Sequence, residues 1–549
     1  MRRLAATLTA ASLLAAALPA SAEEAGGAAA PPADPTGFLD RFVLDDGRLA
    51  YPPPEASALR FAVHGEYQLR FQAQSTLALQ APIGQPQAST LGQNEYLYHW
   101  LRLGGRFEVF DKVAIVMQID APRGMVAGQT TTAVTAARDS LAQAMWYEIH
   151  PRYLYVEYSS PIGLFLVGQQ GSHWGMGIVA NDGDHTTLFG DHRRGSLVER
   201  VLYATTPLGA GTPLFLALGG DLVFQDATAD LLGGDRAFEG LAAIGYRQKA
   251  AELAVYGVVR HQERNAQAVD QYTPFVESMN VGVVDVAGRF DAPIPGGGGF
   301  AYGAIEAAAI LGSTSFLRGA FGNPIDPTAP RSDELIRTYG GAATLGAVKV
   351  SGEGDDRYGA VMGEVEVGYA SGDANPTDGV SKRFTFDENH HVGLVLFDQV
   401  LRWKTARSAT LAQDPTVVAR AAPGLEYLPS NGGVFGAQYV NPRFVVRPRR
   451  WLDLKGGVVI AQTTADFVDP YQFGALGNAR NYDGGDPRSH DLGVELDAGA
   501  AARIRVDSVA TLQVGAEGGV LFPGHAFDDA SGNRLANQYV ASVQLGLQF

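Results

Sequence analysis

The chain contains 549 residues, of which 46% are hydrophobic and 18% are charged, and its formal net charge is −16. It has no cysteine, which excludes disulfide bonds and thiolate metal sites. The acidic balance disfavours nucleic acid as a partner. A soluble secreted protein of this length would usually divide into several domains. No linker, repeat or block of charge divides the chain after residue 59.

The N-terminus has the pattern of an export signal. Two arginines precede an apolar run at 4–18, and residues 19–22 (Pro-Ala-Ser-Ala) supply a cleavage site of the A-x-A type. We therefore predict a signal peptide at residues 1–22. A flexible periplasmic lead-in, rich in Ala, Pro and Gly, follows at 23–58. No later stretch approaches the roughly 18 apolar residues of a spanning helix. An exported chain of this kind is either secreted or inserted as a β-barrel.

Short and long connections alternate along the rest of the chain. The short ones are polar or carry proline, and they occupy 110–112, 160–161, 207–213, 248–250, 293–299, 354–358, 448–449 and 506–508. The long ones occupy 74–95, 122–150, 171–195, 226–235, 262–275, 313–335, 372–432, 465–487 and 523–534. Outer-membrane barrels combine short periplasmic turns with long extracellular loops. We therefore predict an all-β fold, a transmembrane antiparallel β-barrel of about eighteen strands (roughly 16 to 20) at residues 59–549.

The predicted strands separate apolar from charged side chains with a period of two. On the first strand, Phe61, Val63 and Phe71 alternate with charged or polar residues. An Arg or Lys facing lipid near the bilayer midplane would cost about 2–4 kcal/mol, so the charged face is the inner one. The predicted pore-lining residues are Arg60, Glu66, Arg70, Arg102, Arg106, Glu108, Glu252, Arg260, Glu364, Glu366, Asp453, Lys455, Glu495, Asp497, Arg503 and Arg505. A soluble β-sandwich or β-helix also alternates, but it does not explain the asymmetry of the connections.

The long connection after the fifth predicted strand combines a tryptophan with four glycines at 171–185. Glycine permits close approach of the backbone, and tryptophan can hold a loop against a wall. One interpretation is an infolded constriction that contacts solute. Its candidate residues are Trp174, Asp182, Asp184, His192, Arg193 and Arg194. The other interpretation is a well-ordered external loop whose Trp and glycines serve only its own fold.

Two clusters invite a metal interpretation. Residues 181–184 (Asn-Asp-Gly-Asp) group the hard oxygen ligands that calcium prefers, but the full spacing of a calcium loop is missing. His390 and His391 follow two acidic residues, yet adjacent side chains supply zinc geometry poorly. We therefore expect no metal and no cofactor, with calcium at 181–184 as the alternative.

The longest connection, 372–432, is long enough to form a lid or a plug. Its apolar segment at 392–401 predicts a short loop helix. If this connection folds inward, it gates or plugs the barrel. If it rises outside, a role in binding an extracellular partner gains support.

The final strand alternates from Tyr539 to Phe549, with apolar residues at every odd position. It resembles the last strand of bacterial outer-membrane β-barrel proteins, a resemblance which implies that Phe549 is the signal for the assembly machinery. Residues 492–497, 512–519 and 521–524 with the closing strand, and Tyr369–Asn375, resemble the alginate-export porins, large monomeric barrels of Gram-negative outer membranes. Residues 174–183 resemble an uncharacterised family of predicted outer-membrane proteins from myxobacteria.

These resemblances imply a porin-like outer-membrane channel for passive diffusion of small hydrophilic or polyanionic solutes. Alginate export is associated with a strongly basic pore, and the mixed lining departs from that pattern. The alternative is a closed barrel whose long external loops bind a partner or surface polysaccharide.

We do not expect an enzyme, because Ser172 and His173 are adjacent only in sequence and no orienting group is evident. The expected partners are outer-membrane lipid and lipopolysaccharide, the barrel-assembly machinery and small solutes. We expect an integral protein of the Gram-negative outer membrane, and a monomer.

Overall fold

The computed structural model describes residues 59–549 except 83–88, 111, 132, 135–147, 186, 192–194, 210–211, 249, 265–276, 297, 316–332, 353–357, 377, 415–427 and 508–509. The predicted signal peptide and lead-in lie outside the described residues, as do His192, Arg193 and Arg194. Among the residues that the structure describes, no helix is long and apolar enough to cross a membrane.

Eighteen long strands in the described part of the chain form one closed antiparallel sheet. In chain order they are β1 (Leu59–Gln74), β2 (Glu95–Val109), β3 (Val113–Gly128), β4 (Glu148–Ser160), β5 (Gly163–Gly171), β6 (Leu197–Thr205), β7 (Leu214–Gln225), β8 (Asp235–Gln248), β9 (Ala251–Arg264), β10 (Glu277–Pro293), β11 (Gly299–Thr314), β12 (Glu334–Ser351), β13 (Tyr358–Ala370), β14 (Ala437–Arg449), β15 (Leu452–Thr463), β16 (Asp491–Asp507), β17 (Ala510–Pro523) and β18 (Gln538–Gln548). Strand β1 pairs with β2 and also with β18, which closes the sheet into a barrel. The predicted fold class and strand number are confirmed.

The outer face of the wall is apolar and exposed. On β16, Val494 and Leu496 are 37% and 47% exposed, whereas Glu495 and Asp497 are 0% and 6% exposed. The alternation matches the prediction from the sequence, because successive side chains of a strand point to opposite faces. A bilayer accepts apolar side chains and tolerates no unpaired backbone, so a closed barrel with this outer face is suited to span it.

The helices and short strands occupy the long connections. They are the two-residue strands Ala78–Leu79, Ser89–Thr90 and Val380–Ser381, a π-helix at Leu396–Leu401, α1 (Arg402–Gln413), α2 (Pro470–Leu476) and a 3-10 turn at His525–Phe527. The long connections meet at one end of the barrel, and the short turns meet at the other.

The largest hydrophobic core lies inside the barrel. Buried apolar side chains of the connection between β13 and β14 pack against apolar side chains of the wall. Examples from the connection are Phe386, Phe397 and Trp403, and examples from the wall are Tyr439 and Val459. The outward face of the strands is exposed, so the covered face is the interior. The lumen is therefore occupied by folded connections.

Candidate functional site in the barrel lumen

The connection at residues 371–436, which we call the plug loop, enters the lumen on a narrow base. The N–H of Phe386 donates to the carbonyl of Val434 at 2.8 Å, so the two arms of the loop lie side by side there. Beyond this base, the π-helix buries Leu396, Phe397 and Leu401 completely. The predicted loop helix is present, although it begins later and continues into α1. The connection folds inward, which is the first of the two outcomes considered from the sequence.

One wall carboxylate holds the start of the π-helix. Glu495 on β16 accepts hydrogen bonds from the N–H groups of Leu394, Val395 and Leu396 at 2.5, 2.7 and 2.7 Å. These N–H groups have no partner within the helix, and the helix dipole places partial positive charge at them. A completely buried carboxylate is therefore compensated by the backbone of the plug loop.

A second wall carboxylate, Glu366 on β13, lies against His390 of the plug loop. It accepts from the Tyr439 hydroxyl at 2.6 Å and from Arg443 at 2.8 Å, and Nε2 of His390 lies 3.1 Å away. Nδ1 of His390 lies 3.1 Å from the carbonyl of Met176, so both ring nitrogens face acceptors. Burial opposes protonation, but the Glu366 carboxylate outweighs it and raises the pKa of His390. The imidazolium form satisfies both contacts.

Helix α1 packs among the long connections at their end of the barrel. Its charged residues are buried: Arg402, Lys404 and Arg407 are 8%, 2% and 9% exposed. Lys404 forms an ion pair with Asp483, and Arg407 donates to the carbonyls of Gln80 and Ala133 at 3.2 and 2.7 Å. Three other long connections therefore bind α1 through polar contacts.

The connection at residues 172–196, which we call the constriction loop, lies against the inner wall. Trp174 stacks on Tyr256 of β9, with ring centroids 4.9 Å apart at 22°. The N–H of Ile178 donates to Glu306 of β11 at 3.4 Å, and the carbonyl of Ile178 accepts from the N–H of Asp387 at 2.8 Å. Burial raises the pKa of Asp387 to about 7. The constriction loop thus joins the wall to the plug loop.

Asp184 is engaged by the wall. Its carboxylate accepts from Arg152 at 2.8 Å and also contacts Arg102 and the Tyr153 hydroxyl. Arg102 in turn pairs with Asp120 at 2.8 Å. Two guanidinium groups on one carboxylate leave little attraction for calcium, and the calcium alternative stays a prediction.

Asp182 faces two histidines. Its Oδ1 accepts from the N–H of Asp184 at 2.9 Å, and Nδ1 of His185 lies 3.1 Å from the same oxygen. The rings of His173 and His185 are stacked, with centroids 3.7 Å apart. Burial, assisted by the neighbouring His185, lowers the pKa of His173 to about 4. His173 is therefore neutral at pH 7.

The structure places the predicted pore-lining residues in three settings. One set contacts the plug loop or the constriction loop: Arg70, Arg102, Glu366, Lys455 and Glu495. A second set forms ion pairs along the wall: Arg60, Arg106, Glu108, Glu252, Arg260, Glu364, Asp453 and Arg503. The remaining three are Glu66, which accepts from Gln68 at 2.6 Å, the buried Asp497, and Arg505, which is exposed near the end of β16. Most of these charges have a partner of opposite sign.

Sequence reasoning missed several wall residues of the same kind. They include Arg152, Arg443 and Glu517, which pair with Asp184, with Glu364 and with Arg70 respectively. Each lies at an inward position of its strand, so the period-two pattern could have found it on β4, β14 and β17. Phe549 closes the seam between the first and last strands, where its N–H donates to the carbonyl of Gly65 at 2.9 Å and its carbonyl accepts from the N–H of Gly65 at 2.7 Å.

The closed wall, its apolar outer face and its charged interior define an integral outer-membrane β-barrel protein of the Gram-negative type. No family model matches the chain, and no curated protein matches it. The resemblance to alginate-export porins therefore stays a prediction.

Solved structures of bacterial barrels are similar to the chain at low identity. OpdL from Pseudomonas aeruginosa has a TM-score of 0.45 and 10% identity, over 89% of this chain and 98% of that one. OccAB1 from Acinetobacter baumannii has a TM-score of 0.44 and 9% identity, over 89% and 97%. The outer membrane protein OprD from Pseudomonas aeruginosa has a TM-score of 0.42 and 8% identity, over 88% and 94%. Similarity at this level assigns no function to the chain.

Proposed function

We propose that the protein is a porin-like channel through which small hydrophilic solutes diffuse across the outer membrane, and that the plug loop closes it in the conformation described. The observation that carries this proposal is that the wall is complete without the plug loop. Strands β13 and β14 pair directly, from Val361↔Val446 to Tyr369↔Gln438, although the plug loop separates them in sequence. A barrel of about eighteen strands leaves an aqueous channel unless something fills it.

The contacts that hold the plug loop are consistent with a loop that can leave the lumen and open the channel. Its base is narrow, and its polar attachments to the wall are concentrated at Glu495 and Glu366. Charge-assisted hydrogen bonds of this kind each contribute about 1.5–3 kcal/mol, and withdrawal would also expose the apolar side chains that the plug loop packs against the wall. The plug loop adds to the sheet only the two-residue strand Val380–Ser381, which pairs with Leu335 and Ile336 at the start of β12, so withdrawal of the inserted part would leave the eighteen long strands paired.

The lining near the short turns favours small polar solutes of either charge. Arg106 pairs there with Glu108 and Glu157 at 2.6 Å each, and these side chains are 19–23% exposed. Rings of one sign select ions, whereas mixed pairs do not. Polyanionic solutes, which the resemblance to alginate-export porins implies, form the narrower version of the proposal.

Conductance in planar lipid bilayers tests the channel. We compare the protein with a variant in which a short Gly-Ser linker replaces residues 388–431, a replacement that the paired arms of the plug loop permit. We expect large, stable conducting steps from the variant and rare openings from the unmodified protein. Equal conductance of the two proteins would refute closure by the plug loop. Liposome swelling then compares neutral sugars with uronate oligosaccharides. Swelling with both solutes would indicate a general channel, and faster swelling with the uronates would indicate a preference for polyanions.

A closed barrel that binds a partner or surface polysaccharide is the second candidate. It is favoured by α1, which joins three other long connections. A correctly folded linker variant that never conducts would refute the channel and support this candidate.

We also propose that the protein is monomeric, and that lipopolysaccharide surrounds its outer rim. Mass determination in detergent tests the first of these proposals.

A further inference from the structure

Three side chains of the constriction loop place possible metal-ligating atoms close together. They are separate from the plug loop and from its contacts with Glu366 and Glu495. They are His173, Asp182 and His185, and their nitrogen and carboxylate oxygen atoms all lie within 4.8 Å of one another. Asp182 Oδ1 lies 3.1 Å from Nδ1 of His185 and 3.9 Å from Nδ1 of His173. In a tetrahedral site with ligands at about 2.1 Å, neighbouring ligand atoms are about 3.4 Å apart. The two distances bracket that value.

The ring of His173 is the second observation. Both of its nitrogens are buried, and neither makes a hydrogen bond of good geometry with the residues that the structure describes. Buried polar groups are normally paired, and each unpaired one requires an explanation. A metal ion between the ring and the carboxylate supplies the missing partner.

The backbone around Asp182 is held in place. The N–H of Ser196 donates to the carbonyl of Asn181 at 2.7 Å, which ties the last residue of the constriction loop to its middle, and the N–H of Ser172 donates to the carbonyl of Ser196 at 2.9 Å, which joins its two ends. A Cβ at Gly195, where φ is +71°, would overlap the backbone of Asp182. Arg152 donates to the carbonyl of Asp182 at 2.8 Å, and the carboxylate of Asp182 remains directed at the two rings. The backbone that carries Asp182 is therefore fixed, and the two stacked rings would have to rotate for their nitrogens to converge on one ion.

We propose that His173, Asp182 and His185 bind one divalent transition-metal ion of the zinc class. Two imidazoles and one carboxylate suit zinc, and three protein ligands leave the fourth position to water. Calcium and magnesium prefer oxygen ligands only, so the two histidines disfavour them. The bound ion would link residue 173 to residues 182–185 and stiffen the constriction loop. This inference is independent of the proposed channel, because binding is measured whether or not the barrel conducts.

Calorimetric titration with Zn²⁺ tests the site on the full folded protein in detergent, purified without a histidine tag. We expect one saturable site per chain. His173→Ala and Asp182→Asn should each weaken binding at least tenfold. The matched control is His261→Ala, because His261 is exposed and contacts Asn280 at 2.7 Å, away from the cluster. Absence of a saturable site, or binding that both substitutions leave unchanged, would overturn the proposal.

X-ray absorption at the zinc edge provides a second measurement that needs no variant. The zinc-loaded protein should show imidazole scattering from two histidines together with oxygen ligands. A spectrum without imidazole scattering would refute the assignment, even if a variant fails to fold.

Discussion

Substitution of Glu495 by glutamine should weaken the insertion of the plug loop while leaving the barrel intact. The carboxylate accepts three N–H groups of residues 394–396, two at Oε1 and one at Oε2. Glutamine keeps one acceptor oxygen. Its NH2 group would take the place of the second oxygen and face the N–H of Leu396, so that two donors would meet. One charge-assisted hydrogen bond is lost at about 1.5–3 kcal/mol, and two are weakened. We therefore expect the inserted state to lose about 2–4 kcal/mol.

This loss predicts a large change in channel behaviour. Since about 1.4 kcal/mol corresponds to a factor of ten, the ratio of released to inserted plug loop should rise roughly 30- to 1000-fold. Single-channel recording should show a higher open probability for Glu495→Gln, and limited proteolysis should cut the plug loop faster. The matched control is Glu252→Gln, because Glu252 lies on the inner wall at the short-turn end of β9 and pairs with Arg289 at 3.1 Å and Arg247 at 2.8 Å. Equal open probability and equal proteolysis in the two variants would refute the role of Glu495.

Three further predictions concern pH, the α1 contact and the barrel seam. The pKa of Asp387 is raised from 3.8 to about 7 by burial, so the folded protein keeps a proton that the unfolded chain has lost, and stability falls as the pH rises from about 4 to 7. The pKa of His390 is also raised, so its contribution is complete below pH 6.5 and is lost as the pH rises through its folded value. Protection factors of residues 384–413, which are exchange rates corrected for the base-catalysed intrinsic rate, should therefore be lower at pH 8.5 than at pH 5.5, and the opposite order would contradict both assignments. Lys404→Met leaves the partly buried Asp483 without its ion-pair partner and should cost about 1–3 kcal/mol, measured as earlier thermal release of α1. Gly65→Val should lower the yield of refolded barrel on heat-modifiable gels, because a side chain there overlaps the ring of Phe549; an unchanged yield would show that the seam tolerates the overlap.

The wall of the barrel could be predicted from the sequence because its determinants are local. A strand between lipid and lumen needs alternating side chains, and each turn needs Gly, Pro or polar residues within a few positions. The inward placement of Glu495 and Asp497 follows from their neighbours Val494 and Leu496 alone. The length of the connection at 372–432 likewise indicated a lid or plug, but it left the direction of folding open.

The partners of these residues could not be predicted, because they lie far away in the chain. Glu495 binds backbone groups about a hundred residues earlier, and no local pattern marks Leu394 or Leu396 as its donors. Helix α1 shows the same limit, since Lys404 and Arg407 are residue types that normally lie at the surface, yet they are buried. Their burial depends on three other connections that surround the helix at once.

The amino-acid sequence by itself determined the strands, their number and the face that each presents to lipid, because these depend on periodicity and turn chemistry over about ten residues. Only the tertiary structure decided that the lumen is filled, which carboxylates hold the plug loop, and that His173, Asp182 and His185 converge. Each of those features arises when a closed wall brings segments of distant sequence within a few ångströms, where hydrogen bonds and charge compensation act between them.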